Sequence, residues 1–104
     1  MSAELQVIAQ HDGNRAVVRF IGEVDMTNAD RFRAALADAG GVAPTVVADL
    51  DGITYLDSAG VEALFVTARA SRLEVVAGPT CVVRRVLDVV GLAEVATLSD
   101  TARS

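Results

Sequence analysis

Residues 46–61 constrain the fold of this chain more than any other segment, because two different hydrophobic periods meet there. Residues 46–50 form an apolar, β-branched run that predicts a buried strand, and the Asp51-Gly52 pair that follows predicts a turn. Beyond residue 60 the apolar side chains recur at the spacing of one helical face. The segment therefore predicts a strand, a short link rich in turns, and a helix that begins at about Ser58.

The start of this helix carries the chemistry of greatest interest. Asp57 is predicted to be its cap, because a carboxylate at that position accepts hydrogen bonds from the free N–H groups of the first turn. Ser58 is then expected to lie beside unpaired donors and the positive end of the helix dipole, a position that suits a phosphate group. The simpler alternative is that Ser58 is only a small residue at a helix start. Gly60 is expected to permit close approach of the helix to a strand or a partner.

The composition of the chain limits the number of domains it can form, its expected cellular location and the partners it can bind. The 104 residues are 52% hydrophobic, which suits one domain with its own core. No apolar run approaches the ~20 residues that a membrane span needs, and residues 1–4 lack the features of a secretion signal. Cys81 is the only cysteine, so a cytoplasmic location without disulfides is expected. A net charge of −5 argues against binding to nucleic acid, whose phosphates it would repel.

The remaining periodicities predict strands and helices in the order β-β-α-β-α-β-α. The strands are expected at 5–9, 16–21, 46–50 and 73–77, with a short final element between 92 and 98. The helices are expected to follow caps at Thr27 or Asn28, at Asp57 and at Thr80, and to end near Gly40-Gly41, Ser71 and Gly91. The order predicts a single α/β domain over residues 1–104, with a frayed tail from about Ser99. Its mixed sheet should have four to five strands, the first antiparallel and the later ones parallel, with three to four helices.

Two acidic segments are expected to follow strands of this sheet. They are Gly22-Glu23-Val24-Asp25 and the stretch from Asp51 to Ser58. In open sheets of this kind, functional loops gather at the carboxyl ends of the parallel strands, so the two segments are expected to approach each other. Glu23 and Asp25 are equally compatible with a pair of solvated loop carboxylates.

These segments resemble the STAS family, in particular bacterial anti-sigma factor antagonists. Residues 22–25 are similar to the family's G-E-[LV]-D after the second strand. Residues 49–61 are similar to its D-L-x-x-[VI]-x-[FY]-[ILM]-D-S-[ST]-G-[LV] segment, and residues 82–92 are similar to its third-helix region. The likeness covers nearly the whole chain. One position departs from the pattern, because Ala59 stands where the family usually has Ser or Thr.

The resemblance implies a STAS-like fold and a function controlled by phosphorylation. In such proteins the unphosphorylated form binds an anti-sigma factor that is also a serine kinase, and thereby frees a sigma factor. Phosphorylation of the serine, here Ser58, blocks the binding, and a PP2C-type phosphatase reverses it. The partner-binding residues implied by the resemblance are Glu23, Asp25, Asp57, Ser58, Ala59 and Gly60.

Other functions remain as alternatives. Some STAS proteins are subunits of transporters or scaffolds of signalling complexes and have no phosphorylation switch. Residues 56–60 resemble the G-x-S-x-G nucleophile motif of hydrolases, but that motif needs a later histidine and the only one, His11, lies upstream in a predicted turn. No nucleotide-binding motif or metal-ligand cluster is present, so no catalytic residue, cofactor or metal is expected. Asp49 and Cys81 are expected to have structural roles.

Overall fold

The computed structural model describes residues 4–100, which form one α/β unit with a five-stranded sheet. The strands are β1 (Leu5–Asp12), β2 (Arg15–Val24), β3 (Thr45–Leu56), β4 (Arg72–Val76) and β5 (Thr97–Ser99). The helices are α1 (Ala29–Val42), α2 (Ser58–Ala70) and α3 (Arg84–Val89), with a 3-10 helix at Leu92–Glu94. The spatial order is β1-β2-β3-β4-β5, with β1 antiparallel to β2 and the others parallel. The predicted fold class is therefore confirmed.

The final element predicted between residues 92 and 98 is a short helix followed by β5. Ser99, where the tail was expected to begin, is the last residue of that strand, and residues 101–104 lie outside the described part of the chain. No helix within residues 4–100 has the length and apolar character required to cross a membrane.

The hydrophobic core lies between the sheet and helices α1 and α2, and residues of α3 and the 3-10 helix also belong to it. Alternate residues of β2 and β3 face it, because successive side chains of a strand point to opposite faces. Phe20 of β2 contacts Phe32 of α1 with ring centroids 4.5 Å apart, and both side chains are fully buried. The core is otherwise built from aliphatic side chains. Its largest fully buried members include Leu36, Leu50, Ile53, Leu64, Leu73, Leu87 and Leu92.

The prediction of a turn at Asp51-Gly52 is wrong, because β3 continues through this pair to Leu56. Gly52 instead allows close packing: a Cβ there would lie 3.0 Å from Ile21 Cγ1. The Asp51 carboxylate accepts a hydrogen bond from the backbone N–H of Gly78 at 2.9 Å, which joins β3 to the end of β4. The turn signal in the sequence thus reflects a strand irregularity and a cross-strand contact.

Three other predicted boundaries are wrong. The first hairpin is longer than predicted, so that His11 lies exposed in β1 rather than in a turn. Helix α1 continues through Gly40-Gly41 and ends before Ala43, which is extended (φ −152°, ψ 150°) as the residue before a proline prefers to be.

Helix α3 begins at Arg84 and not directly after Thr80. Leu87 of this helix is buried, whereas Val86 and Val90 are 38% and 41% exposed. Gly91 follows this helix with φ +78°, in agreement with its predicted role in ending it.

Candidate functional site

The ends of β2 and β3 lie side by side, so the two acidic segments approach each other as predicted. Val24 pairs with Leu56 in the parallel register, and the backbone N–H of Asp57 donates to the carbonyl of Val24 at 3.0 Å. The structure corrects one detail, because most of both segments belongs to the strands and not to loops. Only the turn at residues 25–28 and the single residue Asp57 lie outside the regular elements at this edge.

Asp57 caps helix α2, as predicted. Its Oδ1 accepts hydrogen bonds from the backbone N–H groups of Ala59 at 3.0 Å and Gly60 at 3.2 Å, and its carbonyl accepts from Val61 at 3.1 Å. The donors expected to be unpaired beside Ser58 are therefore occupied by the cap. A phosphate on Ser58 would meet this carboxylate and not a set of open amides.

Removal of this cap is expected to destabilise the protein. The Asp57→Ala variant leaves two first-turn N–H groups without their side-chain acceptor, which should lower the free energy of unfolding by about 1 kcal/mol. Urea denaturation followed by circular dichroism measures the change. Asp57→Asn is the matched control, because the amide oxygen can still cap the helix and should retain most of the stability. Equal losses in the two variants would contradict a capping role.

Ser58 is the first residue of α2 and its side chain is exposed. Among residues 4–100, its hydroxyl takes part in none of the hydrogen bonds that hold this edge together. Ala59 is half-buried and Gly60 is buried, so Ser58 is the exposed residue among the first three of α2. The hydroxyl is therefore open to another protein while the backbone beneath it is fixed.

Gly60 brings the start of α2 close to both strands. A Cβ at this position would collide with Leu56 Cδ1 and would lie 3.0 Å from Val24 Cγ1. The expected role in close approach is confirmed, and the neighbours are the chain's own strands. Gly60 therefore sets the position of Ser58 relative to the end of β2.

The turn that carries Asp25 is held by its own side chains. Asp25 Oδ1 accepts hydrogen bonds from the hydroxyl and the backbone N–H of Thr27, and Asn28 Oδ1 accepts from the backbone N–H of Asp25 at 3.0 Å. The Asn28 amide also donates to the carbonyl of Glu23 at 2.9 Å. The Thr27 hydroxyl is the main cause of a lowered pKa at Asp25, and the Thr27 N–H lowers this pKa further. Asp25 thus remains a carboxylate in a defined position.

Loss of the Thr27 hydroxyl is expected to raise the pKa of Asp25 towards its ordinary value of 3.8. The hydrogen bond favours the charged form, so its contribution to stability is present above that value and is lost as the pH falls through the lower pKa of the folded chain. An NMR titration of the Asp25 carboxyl carbon in the Thr27→Val variant measures the shift. Thr27→Ser keeps the hydroxyl and should titrate like the unchanged chain, so a shift in both variants would assign the effect elsewhere.

Three residues of this edge were missed by the sequence reasoning. Asn28 was considered only as a helix cap, yet it is 5% exposed and fastens the turn to β2. Met26 is 86% exposed and Tyr55 is 53% exposed, so both present apolar surface to solvent. The signal for Met26 and Tyr55 was a large apolar residue directly after one acidic segment and another inside the second, where no core pattern requires them.

The carboxylates at this edge are not neutralised by the chain's own arginines. Within residues 4–100, no ion pair involves Glu23, Asp25 or Asp57. The ion pairs that do form lie elsewhere, between Arg15 and Glu74, Arg33 and Asp30, Arg84 and Asp88, and Arg84 and Asp100. The edge therefore presents unpaired negative charge to a partner.

Other singled-out residues lie apart from this edge. Asp49 Oδ1 accepts a hydrogen bond from the backbone N–H of Asp51 at 3.1 Å, and the Cys81 thiol lies 3.4 Å from the carbonyl of Leu50, so both residues have structural contacts. In the described part of the chain, no group of three or more His, Cys, Asp and Glu side chains is arranged to hold a metal ion.

The comparisons with known proteins agree with this architecture. An anti-sigma F factor antagonist of Lysinibacillus sphaericus is 36% identical over 66 residues, which are 62% of this chain and 55% of that protein's length. A crystal structure of an anti-sigma factor antagonist from Mycobacterium paratuberculosis superimposes with a TM-score of 0.83 at 26% identity, covering 94% of this chain and 87% of that one. The anti-sigma factor antagonist SpoIIAA shares the fold, with a TM-score of 0.70 at 20% identity over 95% of this chain and 90% of its own in the unphosphorylated form. The family model described as the STAS domain matches residues 6–104. The chain therefore belongs to the STAS domain family.

Proposed function

We propose that this protein is an anti-sigma factor antagonist that is switched off by phosphorylation of Ser58. In the unphosphorylated form it binds an anti-sigma factor and so releases a sigma factor. The observation that carries the proposal is the position of Ser58, which is exposed at the start of α2 on a backbone fixed by the Asp57 cap. The similarity to antagonists of Lysinibacillus sphaericus and Mycobacterium paratuberculosis supports the same class of partner.

The binding surface we propose surrounds this serine. It combines the unpaired carboxylates of Glu23, Asp25 and Asp57 with the exposed side chains of Met26 and Tyr55. Large apolar and aromatic side chains supply much of the binding energy of protein interfaces, and unpaired charges select a partner of opposite sign. Since the carboxylates of Glu23 and Asp25 are negative, the part of the anti-sigma factor that contacts them should be basic, whereas the part that covers Ser58 should hold no cation that could pair with a phosphate.

Phosphorylation would act on this surface through charge. A phosphate adds about −1.5 to −2 charge at pH 7. The N–H groups of Ala59 and Gly60, which could have donated to the phosphate, already donate to Asp57, so the new charge would lie beside an existing carboxylate and face the partner. A phosphate that loses its water against a surface with no cation to pair with it opposes association. Phosphorylation should therefore release the partner without unfolding this chain.

In this proposal the partner proteins catalyse both the phosphorylation and the dephosphorylation of Ser58. The anti-sigma factor is itself the serine kinase and transfers the terminal phosphoryl group of ATP to the Ser58 oxygen, with ADP as the second product. A PP2C-type phosphatase hydrolyses the resulting phosphoserine and restores the binding form. This chain is then a substrate and binding module that needs no catalytic residue, cofactor or metal of its own, and it acts in the cytoplasm.

Phosphate mapping tests the proposal directly. The chain is incubated with the cognate anti-sigma factor and ATP, and tandem mass spectrometry is expected to find one phosphate, on Ser58. The Ser58→Ala variant should take up none and should stay bound to the anti-sigma factor in the presence of ATP. The Ala59→Ser variant shows whether the hydroxyl that the family usually carries at this position changes the rate of phosphorylation.

A different result would favour the alternative function. If the anti-sigma factor does not bind, or binds and leaves Ser58 unmodified, the switch is excluded and Ser58 is only the first residue of α2. Affinity purification would then be expected to recover a transporter or signalling complex in which the STAS domain is a subunit or scaffold.

A further inference from the structure

The outer edge of β1 has the backbone chemistry of a pairing site. The backbone N–H of Glu23 donates to the carbonyl of Glu4 at 2.9 Å, and in an antiparallel ladder the residues that bond to the neighbouring strand alternate. The residues that point their N–H and C=O groups away from β2 are therefore Leu5, Val7, Ala9 and His11. One contact supports this assignment, because Arg31 Nη1 donates to the outward carbonyl of Leu5 at 3.1 Å.

This edge lacks the usual features that prevent strand pairing. Proteins commonly protect an edge with lysine, proline, a bulge or a very short strand. Strand β1 has eight residues, contains neither lysine nor proline, and pairs with β2 in an unbroken register. Within residues 4–100 it has no other strand neighbour. Ile8 is 42% exposed on one face of it, so pairing would cover apolar side chains as well as backbone groups.

An apolar groove runs along the same edge on the side of α1. It is a cavity of about 330 Å³ lined mostly by aliphatic side chains such as Val7, Ala35 and Val42, with Gln10, His11 and Asp38 as its polar members. Val42 is 59% exposed at its end. A strand added to β1 would extend the sheet beside this groove, and its side chains would cover part of the apolar lining.

We propose that β1 pairs in an antiparallel manner with β1 of a second copy of this chain, about a two-fold axis at Ala9. Arg31 already binds the carbonyl of Leu5, so the outward groups left for pairing are centred on Ala9. The axis places Ala9 opposite itself and Val7 opposite His11. An isologous contact of this kind closes on itself and produces a dimer and not a fibre.

Charge favours this register over its neighbour. With the axis at Ala9, Asp12 lies opposite Gln6, whose amide can donate to the carboxylate, and no two like charges face each other. An axis at Ile8 would place Glu4 opposite Asp12, and like charges directly opposite destabilise a strand pair. That register would also require the carbonyl of Leu5. The side chains of β1 therefore select a second copy in one register.

The dimer is expected to be weak and to depend on salt. Pairing along one short strand buries less than the ~1,600 Å² of a standard stable interface. Each copy carries a net charge of −5, so added salt should strengthen association by screening their repulsion. The dimer leaves Ser58 accessible, because Ser58 follows β3 and β2 lies between that strand and β1. The proposed function and this inference can therefore fail independently.

Sedimentation equilibrium of the full chain tests the inference. The average mass should rise from 10.8 kDa towards twice that value between micromolar and millimolar concentration, and more so at high salt. Ala9→Pro removes the central outward N–H and should leave a monomer, since an edge strand tolerates proline where its N–H faces solvent. Ala9→Val keeps the N–H and should still form the dimer. Circular dichroism confirms that each variant is folded.

Two surface variants test the register without touching the backbone. Gln6→Lys places a positive charge opposite Asp12 twice in each dimer and should tighten association roughly fivefold, whereas Gln6→Glu should weaken it by a similar factor. The inference is overturned if the chain stays monomeric at millimolar concentration, if Ala9→Pro forms the dimer as well as Ala9→Val does, or if the two Gln6 variants associate equally.

Discussion

Replacing Ser58 by glutamate is expected to weaken binding to the anti-sigma factor about a hundredfold, which corresponds to ~2.7 kcal/mol. The new carboxylate would lie next to Asp57, whose Oδ1 already occupies the backbone donors of Ala59 and Gly60. The first turn of α2 therefore has few free N–H donors for the added charge, and the partner would contact two neighbouring carboxylates. Isothermal titration calorimetry with the purified anti-sigma factor measures the loss.

Ser58→Gln is the matched control for this variant, because glutamine has nearly the same size without the charge. If charge carries the switch, the glutamine variant should bind considerably more tightly than the glutamate variant, and the difference should shrink as salt is added. Ser58→Ala should bind like the unphosphorylated chain. Equal affinities of the glutamate variant and the unchanged chain would remove Ser58 from the interface, and equal losses for glutamate and glutamine would indicate bulk rather than charge.

Hydrophobic period and capping chemistry predicted the elements that hold the site. The change of period after residue 60 predicted α2, and the carboxylate of Asp57 predicted its cap, because both signals are local and depend on few neighbours. The rule that functional loops gather at the carboxyl ends of parallel strands predicted that the two acidic segments approach each other, and the likeness to the STAS family predicted that they form one binding surface. That surface remains a proposal, whereas the adjacency of Val24 and Asp57 is a feature of the structure.

The strand boundaries were harder to predict, because they depend on contacts between distant parts of the chain. An Asp-Gly pair has the same composition in a turn as in a bulged strand. In this chain the pair lies in a strand, where Ile21 packs against Gly52 and the N–H of Gly78 donates to the Asp51 carboxylate. The occupied donors beside Ser58 were missed for a related reason. The sequence predicted both a cap and a free anion site, but the same N–H groups serve only one of them.

The irregular pairing of β2 with β3 also determines where the site forms. The register shifts between Arg19 and Ile21 and again between Gly22 and Glu23, and at each shift β3 contributes the extra residue. One such residue would turn the following side chains to the opposite face of the sheet, but a second restores the alternation. Val24 and Leu56 are consequently both buried at the ends of their strands, and Asp57 lies beside Val24.

Gly22 lies at the second of these shifts, and the Gly22→Ala variant is expected to lose ~3 kcal/mol or more of its unfolding free energy. Its φ of +120° is one that side chains rarely adopt, and a Cβ there would collide with the carbonyl oxygen of Glu4. That oxygen also accepts the N–H of Glu23, so it cannot move without breaking the contact between β1 and β2. For a domain of this size, the loss corresponds to a fall of about 10–20 °C in Tm, measured by thermal denaturation.

Gly13→Ala is the control that separates strain from collision. Gly13 also has a positive φ, +58°, but nothing lies within 4 Å of a Cβ built there. Its substitution should therefore cost only about 1 kcal/mol, the penalty of the backbone conformation alone. Equal losses at the two glycines would show that the close approach of Glu4 contributes nothing. A larger loss at Gly22, together with weaker binding of the anti-sigma factor at temperatures where the variant is folded, would indicate that this contact also positions Glu23 and Asp25.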